Sequence, residues 1–171
     1  MNISPLPSDQ TTRAVVRHLT ATLAYRAAKV LRDAPPAFPR TSFGDSTRKP
    51  VLIVAHLADL MAWAITLTRG ASVWKAEGSD DWATEVARFF DNLSALDREL
   101  AADAADVSIE KLIQGPLADA LTHVGQLAML RGMAGAPVRP ESYARAEIVA
   151  GRVGLEQAAA GREFDGDASA R

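Results

Sequence analysis

Three side chains suited to metal binding lie in two separate apolar segments of the chain. His56 lies within VLIVAHLADLMAWAITL, and Asp119 and His123 lie four residues apart within LADALTHVGQ. A spacing of four places two side chains on the same face of a helix. If the two segments form neighbouring helices, two imidazoles and one carboxylate converge. Such a set binds Zn, Ni, Fe or Mn and leaves coordination positions for water or substrate.

His56 also has a purely structural interpretation. It shares a helical stripe with Leu52 and Trp63 on the most apolar segment of the chain, so its ring nitrogens need partners. A core histidine that is hydrogen-bonded to another helix satisfies this need without a metal. Asp59, one turn further on, could orient the ring or simply balance a neighbouring charge. His18 projects away from the apolar stripe of its own helix, which predicts an ordinary surface residue.

In the segment LADALTHVGQ, a polar stripe extends from Asp119 through His123 to Gln126, at spacings of four and three. One interpretation is that this face is simply solvated. That amphipathic pattern is imperfect, because Leu130 falls beside the polar stripe and Arg131 falls near the apolar one. A polar inset that faces the interior of a helical bundle is therefore a second interpretation.

Helical segments position these residues, and signals for β-strands are nearly absent. The predicted helices span residues 8–34, 48–69, 80–102 and 116–134. Residues 35–47 are rich in proline, glycine and serine and form a long loop, and loops of this kind often border sites. Residues 136–171 form a C-terminal extension with a short helix and an extended tail. Four long helices with one long crossover predict a single all-α domain, residues 1–171, built as a four-helix bundle.

Capping residues and prolines set the predicted helix boundaries. Ser8 or Asp9 is expected to cap the first helix, and Pro50 suits the first turn of the second. The third helix is predicted to start at Ser79. A short turn, SIEKLI, precedes Pro116, which is predicted to open the fourth helix.

Composition excludes several functional classes. The 171 residues are 48% hydrophobic and 23% charged, with a net charge of −2, an ordinary globular composition. The acidic balance argues against nucleic-acid binding, which requires a basic face. Charged residues interrupt the apolar runs, which argues against a membrane protein. The first residues lack a basic segment followed by an apolar stretch, and the chain has no cysteine. Both absences predict a cytoplasmic protein.

Three sequence motifs together resemble a known family. They are RKPVLIVAHLADLMAW around His56, LADALTHVGQLAMLRGMAGAPV around His123, and the tail YARAEIVAGRVGLEQ leading to EFDGD. In this combination the chain resembles the DinB-like superfamily, which includes YfiT-like metal-dependent enzymes. The resemblance covers most of the chain.

The resemblance implies a four-helix bundle with an up-down-down-up course, a homodimer, and a divalent metal held by three histidines. His56 matches the ligand on the second helix, and His123 matches the last ligand. The remaining histidine of the family falls on Asp119, a harder donor that changes which metal fits. Gln126 and Arg131 lie in the matching motif and are expected to shape the site or to hold the helix ends.

The function implied is that of a metal-dependent enzyme similar to the thiol-dependent transferases, with the metal as Lewis acid on a thiol or water. His56, His123 and Asp119 would bind the metal, with Zn or Ni preferred and Fe or Mn as alternatives. Asp59 would serve as a catalytic group that orients a ligand or accepts a proton. Because the chain lacks cysteine, a thiol would arrive as a small cosubstrate.

The alternative function is that of a non-catalytic dimeric bundle with a degenerate metal site, which binds a small ligand or a protein partner. The presence of Asp119 instead of a histidine supports this alternative. One geometric criterion decides whether a shared ion is feasible. If the rings of His56 and His123 lay more than about 7 Å apart, bonds of ~2 Å could not join them to one ion.

Overall fold

The computed structural model describes residues 9–102 and 108–161, and within these ranges the chain is helical without a β-strand. The α-helices are α1 (Gln10–Leu31), α2 (Pro50–Thr68), α3 (Trp82–Ala101), α4 (Ile109–Leu112) and α5 (Ala118–Met133). The predicted all-α class and the packing of four long helices are confirmed. The predicted tail EFDGDASAR lies outside the described residues.

Each long helix packs against two neighbours. α1 contacts α3 and α5, and α2 contacts the same two helices from the other side of the bundle. The long loop between α1 and α2 therefore joins helices that lie diagonally opposite. A short 3₁₀ turn (Phe38–Arg40) interrupts this loop, and Phe38 is buried in the core. α2 and α5 are neighbours, as convergence of the metal-binding side chains requires.

α2 is the most apolar helix of the bundle. It is the one helix among the described residues whose length and composition would allow it to cross a membrane, and 67% of its most apolar window is buried inside the fold. Because α2 is apolar on nearly every side, it needs neighbours on more than one face. α3 and α5 supply those neighbours.

The ends of the first three helices follow local capping chemistry. The Asp9 carboxylate accepts a hydrogen bond from the Thr12 N–H at 2.8 Å, and Pro50 occupies the first turn of α2, as predicted. α3 begins later than predicted, at Trp82 rather than Ser79. The reason is that Asp81 caps the helix, whereas Ser79 donates both its N–H and its hydroxyl to the buried Glu85 carboxylate.

The junction before α5 differs from the predicted turn. α4 continues through a wide π turn (Ile113–Leu117) directly into α5, so Pro116 lies two residues before the helix that it was predicted to open. Proline lacks an N–H and cannot fit a regular α-helical interior, and the wide turn absorbs it. Gly115 leaves helical geometry in this turn, with φ −92° and ψ −106°. A Cβ atom at this position would lie 3.2 Å from the Trp63 ring, so the turn is held close to α2.

The C-terminal extension contains less helix than predicted. Its described part forms one 3₁₀ turn (Tyr143–Arg145) and is otherwise irregular up to residue 161. Buried Glu141 fixes this segment to α1, because its carboxylate accepts hydrogen bonds from the Tyr25 hydroxyl, the Lys29 ammonium and the Gly161 N–H at 2.6–2.7 Å. These contacts supply tertiary anchoring where proline and glycine prevent a longer helix.

Candidate metal centre

Two neighbouring helices bring His56, Asp119 and His123 together, and we call these three residues the triad. The Asp119 carboxylate lies 3.5 Å from His56 Nε2 through one oxygen and 3.5 Å from His123 Nε2 through the other. The two imidazole rings are perpendicular, with centroids 4.8 Å apart. This distance is well inside the limit for sharing one ion. The predicted convergence of α2 and α5 at these residues is therefore confirmed.

The triad has the size and the chemistry of a metal site. One donor atom from each residue can be chosen so that all three lie within 4.8 Å of one another. In a tetrahedral site with bonds of ~2.1 Å, donor atoms are roughly 3.4 Å apart. Each histidine nitrogen already lies at about this distance from one of the two Asp119 oxygens. Two imidazole nitrogens and one carboxylate oxygen suit Zn, Ni, Fe and Mn. The residues present thus fit a divalent transition metal in the type of their donor atoms and in their approximate spacing.

The triad is open on one side. The side chains of His56 and His123 are only 22% and 14% exposed, whereas that of Asp119 is 47% exposed. An ion can therefore enter past the carboxylate and meet two largely desolvated imidazoles. Catalytic metal sites keep such an open coordination position, whereas structural sites are closed by protein ligands.

Gln126 orients one of the histidines. Its side-chain oxygen Oε1 lies 2.7 Å from His123 Nδ1. With this oxygen as acceptor, Nδ1 carries the proton and Nε2 keeps its lone pair, directed at the triad. Histidine ligands in metal sites are commonly fixed in this way through the second ring nitrogen. Gln126 was expected to shape the site or to hold a helix end, and it lies in contact with a histidine of the triad.

The surroundings of His56 favour the neutral, ligating form of its ring. Burial is the largest effect that lowers the pKa of His56, and the nearby His123 and Arg48 lower it further. The hydrogen bond and charge of Asp119 oppose this shift but do not cancel it. A lowered pKa keeps the imidazole unprotonated at neutral pH, as metal coordination requires.

An aromatic residue from a loop completes one wall of the triad. The Trp74 ring lies 5.5 Å from the ring of His56 and 6.1 Å from that of Trp63, in edge-to-face geometry. The Trp63 indole N–H donates to the Ser72 hydroxyl at 3.1 Å, which holds this loop on α2. Trp74 was not predicted from the sequence, because an aromatic residue outside a helix has no periodicity that assigns it to a face.

Asp59 is directed toward α3. Its buried carboxylate accepts hydrogen bonds from Arg88 at 2.7 Å and from the Glu77 N–H at 3.2 Å. The loop passes so close to α2 here that a Cβ atom at Gly78 would lie 2.6 Å from the Cβ of Ala55. These contacts tie Asp59 to α3 and to the loop that carries Trp74. Its catalytic role stays a prediction.

The other two residues singled out in the sequence have structural positions. Arg131 donates to the carbonyls of Val30 and Arg32 at the end of α1, and to that of Ala136 beyond its own helix. It therefore holds helix ends, as expected. His18 is exposed on α1, as predicted.

A cavity of about 360 Å³ adjoins the triad. His123 and Gln126 line it from α5, and Ser46, Thr47 and Arg48 line it from the end of the long loop. Ser46 and Thr47 belong to the predicted loop of residues 35–47, and Arg48 directly follows it. Which residues line the cavity was not predicted, because an irregular segment has no periodicity that shows which of its residues face α5.

Comparisons with known proteins add no family assignment. No family model, no curated protein and no solved structure matches the chain. Evidence for the site therefore comes from the geometry of the triad and its surroundings.

Proposed function

We propose that this protein is a metal-dependent enzyme of the kind its sequence resembles, a DinB-like protein that acts on a small molecule with a thiol or water as nucleophile. One observation carries the proposal. Two imidazoles and a carboxylate from separate helices meet beside a cavity, and the Asp119 carboxylate lies 3.5 Å from Nε2 of each histidine.

Each residue of the site has a separate proposed role. His56, His123 and Asp119 hold a divalent ion, with Zn or Ni preferred and Fe or Mn as alternatives. When bound, the ion supplies a Lewis acid that lowers the pKa of a thiol or water. Gln126 keeps the Nε2 lone pair of His123 directed at the site. Asp59 acts as a positioning residue, because its carboxylate ties the loop that carries Trp74 to α2.

The remaining parts of the proposal concern partners and location. The chain has no cysteine, so a thiol nucleophile would be a small cosubstrate. We propose a homodimer in the cytoplasm, without nucleic-acid or membrane partners. Met129 and Met133, each 61% exposed on α5, offer apolar surface to a second copy.

Elemental analysis of the full chain, purified without an affinity tag, tests metal binding directly. We expect near-stoichiometric Zn or Ni, because a preformed set of donors needs little ordering to bind an ion. Less than about 0.2 equivalents of any transition metal, with no uptake on titration, would contradict the proposal and favour the non-catalytic bundle with a degenerate site.

His56→Ala tests the ligand assignment. We expect metal uptake to fall to background, because the remaining two donors lie on a single helix. His18→Ala is the matched control, since it removes an exposed histidine of α1 and should leave uptake unchanged. Circular dichroism of both variants reports whether the bundle remains folded. Unchanged metal content in His56→Ala would show that the ion binds elsewhere.

A further inference from the structure

The cavity beside the triad has a cationic end. Arg48 is exposed at its wall and, within the described part of the chain, its guanidinium has no ion-pair or hydrogen-bond partner. Ser46 and Thr47 line the same end. None of the lining residues is acidic, so Arg48 supplies the fixed charge of this wall. An arginine without a partner at the wall of a cavity is available to bind an anion.

The loop geometry explains how these three residues come to line one end of the cavity. The N–H of Thr47 donates to the carbonyl of Gly44 at 3.1 Å, which closes a tight turn immediately before α2. Gly44 has φ +116°, a conformation that residues with a Cβ rarely adopt. The turn places three consecutive polar residues beside the cavity, shortly before α2 begins.

Part of the cavity lining is apolar. Ile53 and Leu130 are almost fully buried there, and Met129 is exposed at the rim. His123 lines the cavity as well as the triad, so it joins the two. The volume of about 360 Å³ is within the ~300–1,000 Å³ range of small-molecule sites, which are commonly apolar with a few convergent polar groups.

We propose that this cavity binds a small organic carboxylate. The carboxylate accepts hydrogen bonds from the Arg48 guanidinium and from the hydroxyls of Ser46 and Thr47, and the apolar body lies along Ile53 and Leu130. A single arginine fork matches the two oxygens of a carboxylate. The far end of the ligand reaches His123. The chemistry at the His123 end rests on the proposed function. Anion binding at Arg48 requires no metal.

Calorimetric titration of the full chain with 3-phenylpropionate and its neutral amide tests this assignment. The two probes share an apolar body and differ in charge. We expect the acid to bind about tenfold more tightly than the amide, because a charge-assisted bidentate contact is lost in the amide. The titrations are made on chelator-treated protein and on protein loaded with Zn²⁺, so that the anion site is measured with and without an ion.

A matched pair of variants locates the charge. Arg48→Gln should weaken binding of the acid about tenfold and leave the amide unaffected. Lys49→Gln removes the same charge one residue further on, from an exposed side chain outside the cavity, and should have little effect. Arg48→Lys should retain only part of the affinity, since an ammonium cannot make the bidentate contact.

The outcomes separate this inference from the proposed function. Equal affinity for acid and amide, equal effects of Arg48→Gln and Lys49→Gln, or no binding of either probe overturns the carboxylate site. Arg48-dependent binding to protein that takes up no metal supports the site and contradicts the proposed enzyme. Metal uptake by protein that does not discriminate between the two probes supports the proposed enzyme and contradicts the carboxylate site.

Discussion

α2 carries one polar cluster on the side that faces α3 and another on the side that faces α5, and the two differ in the source of their positive charge. Toward α3, Arg88 lies 2.7 Å from the Asp59 carboxylate and 2.6 Å from that of Glu85. Both carboxylates are buried. This cluster contains its own cation, and its hydrogen bonds are made within the protein.

Toward α5, the triad consists of electron-pair donors. His56 has a lowered pKa, and Asp119 is nearly half exposed, with its carboxylate 3.5 Å from Nε2 of each histidine. In the first, closed cluster the buried carboxylates are paired with Arg88. The second cluster is open to solvent, and its donor atoms can still bind a cation. The polar groups on the two sides of α2 therefore differ in kind. The buried ion pairs toward α3 stabilise the bundle, whereas the imidazole and carboxylate donors toward α5 are suited to a cation from outside.

The largest effect expected from this comparison is on stability, at the closed cluster. Arg88→Met leaves two buried carboxylates without their cation and should lower the free energy of unfolding by about 3–5 kcal/mol. Arg98→Met, on the exposed face of the same helix, is the control and should change it by no more than about 0.5 kcal/mol. Urea denaturation monitored by circular dichroism measures both. Similar losses in the two variants would remove the distinction between the clusters.

A smaller effect is expected on metal affinity, at the open cluster. Gln126→Ala removes the acceptor that fixes the His123 ring and should weaken metal binding by about 10–100-fold, without unfolding the protein. Thr122→Ala changes an exposed residue of the same helix whose hydroxyl bonds only to the carbonyl of Ala118, so it should keep full affinity. Competition with a chromogenic chelator gives both constants. Unaltered affinity in Gln126→Ala would mean that the ring needs no orienting partner.

The smallest effect concerns the pH dependence of the closed cluster. Burial alone would raise the pKa of Glu85, but hydrogen bonds from Ser79 and Arg88 outweigh it, so the pKa lies below its ordinary value. The unfolded chain therefore takes up this proton first on acidification. The stabilisation is present above the unfolded pKa of ~4.3 and is lost as pH falls through the folded pKa.

Glu85→Gln checks this dependence. As the pH falls below about 5, we expect the free energy of unfolding of the variant to decrease less than that of the parent protein. Denaturation curves recorded at a series of pH values measure both. Parallel pH profiles for the two proteins would show that the acid loss comes from other carboxylates, of which the buried Glu141, whose pKa is also lowered, is one.

The fold and the triad could be predicted because helical periodicity carries both. The near-continuous apolar pattern of α2 requires burial between neighbours, and the four-residue spacing of Asp119 and His123 fixes them on one face. Once α2 and α5 are adjacent, His56 meets Asp119 and His123 if both helices turn these faces toward each other. The sequence could not show whether the polar stripe of α5 faces solvent or the interior of the bundle, because that depends on the rotation of α5 about its axis.

Contacts that depend on tertiary distance or on loops could not be predicted. Asp59 and Arg88 lie 29 residues apart on different helices, and neither position signals the other. Trp74 and Arg48 belong to irregular segments, where no period assigns a side chain to a face. The close approach of Gly115 to Trp63 at the π turn before α5 is a tertiary contact that local sequence does not encode.

The contact between Trp74 and His56 gives the protein an intrinsic optical probe. Of the indole rings in the described chain, Trp74 is the one in ring contact with a member of the triad. A paramagnetic ion such as Ni²⁺ held by that imidazole quenches indole emission at this separation, whereas Zn²⁺, with its filled shell, does not. Emission from the unlabelled protein would therefore distinguish the two preferred metals during a single titration.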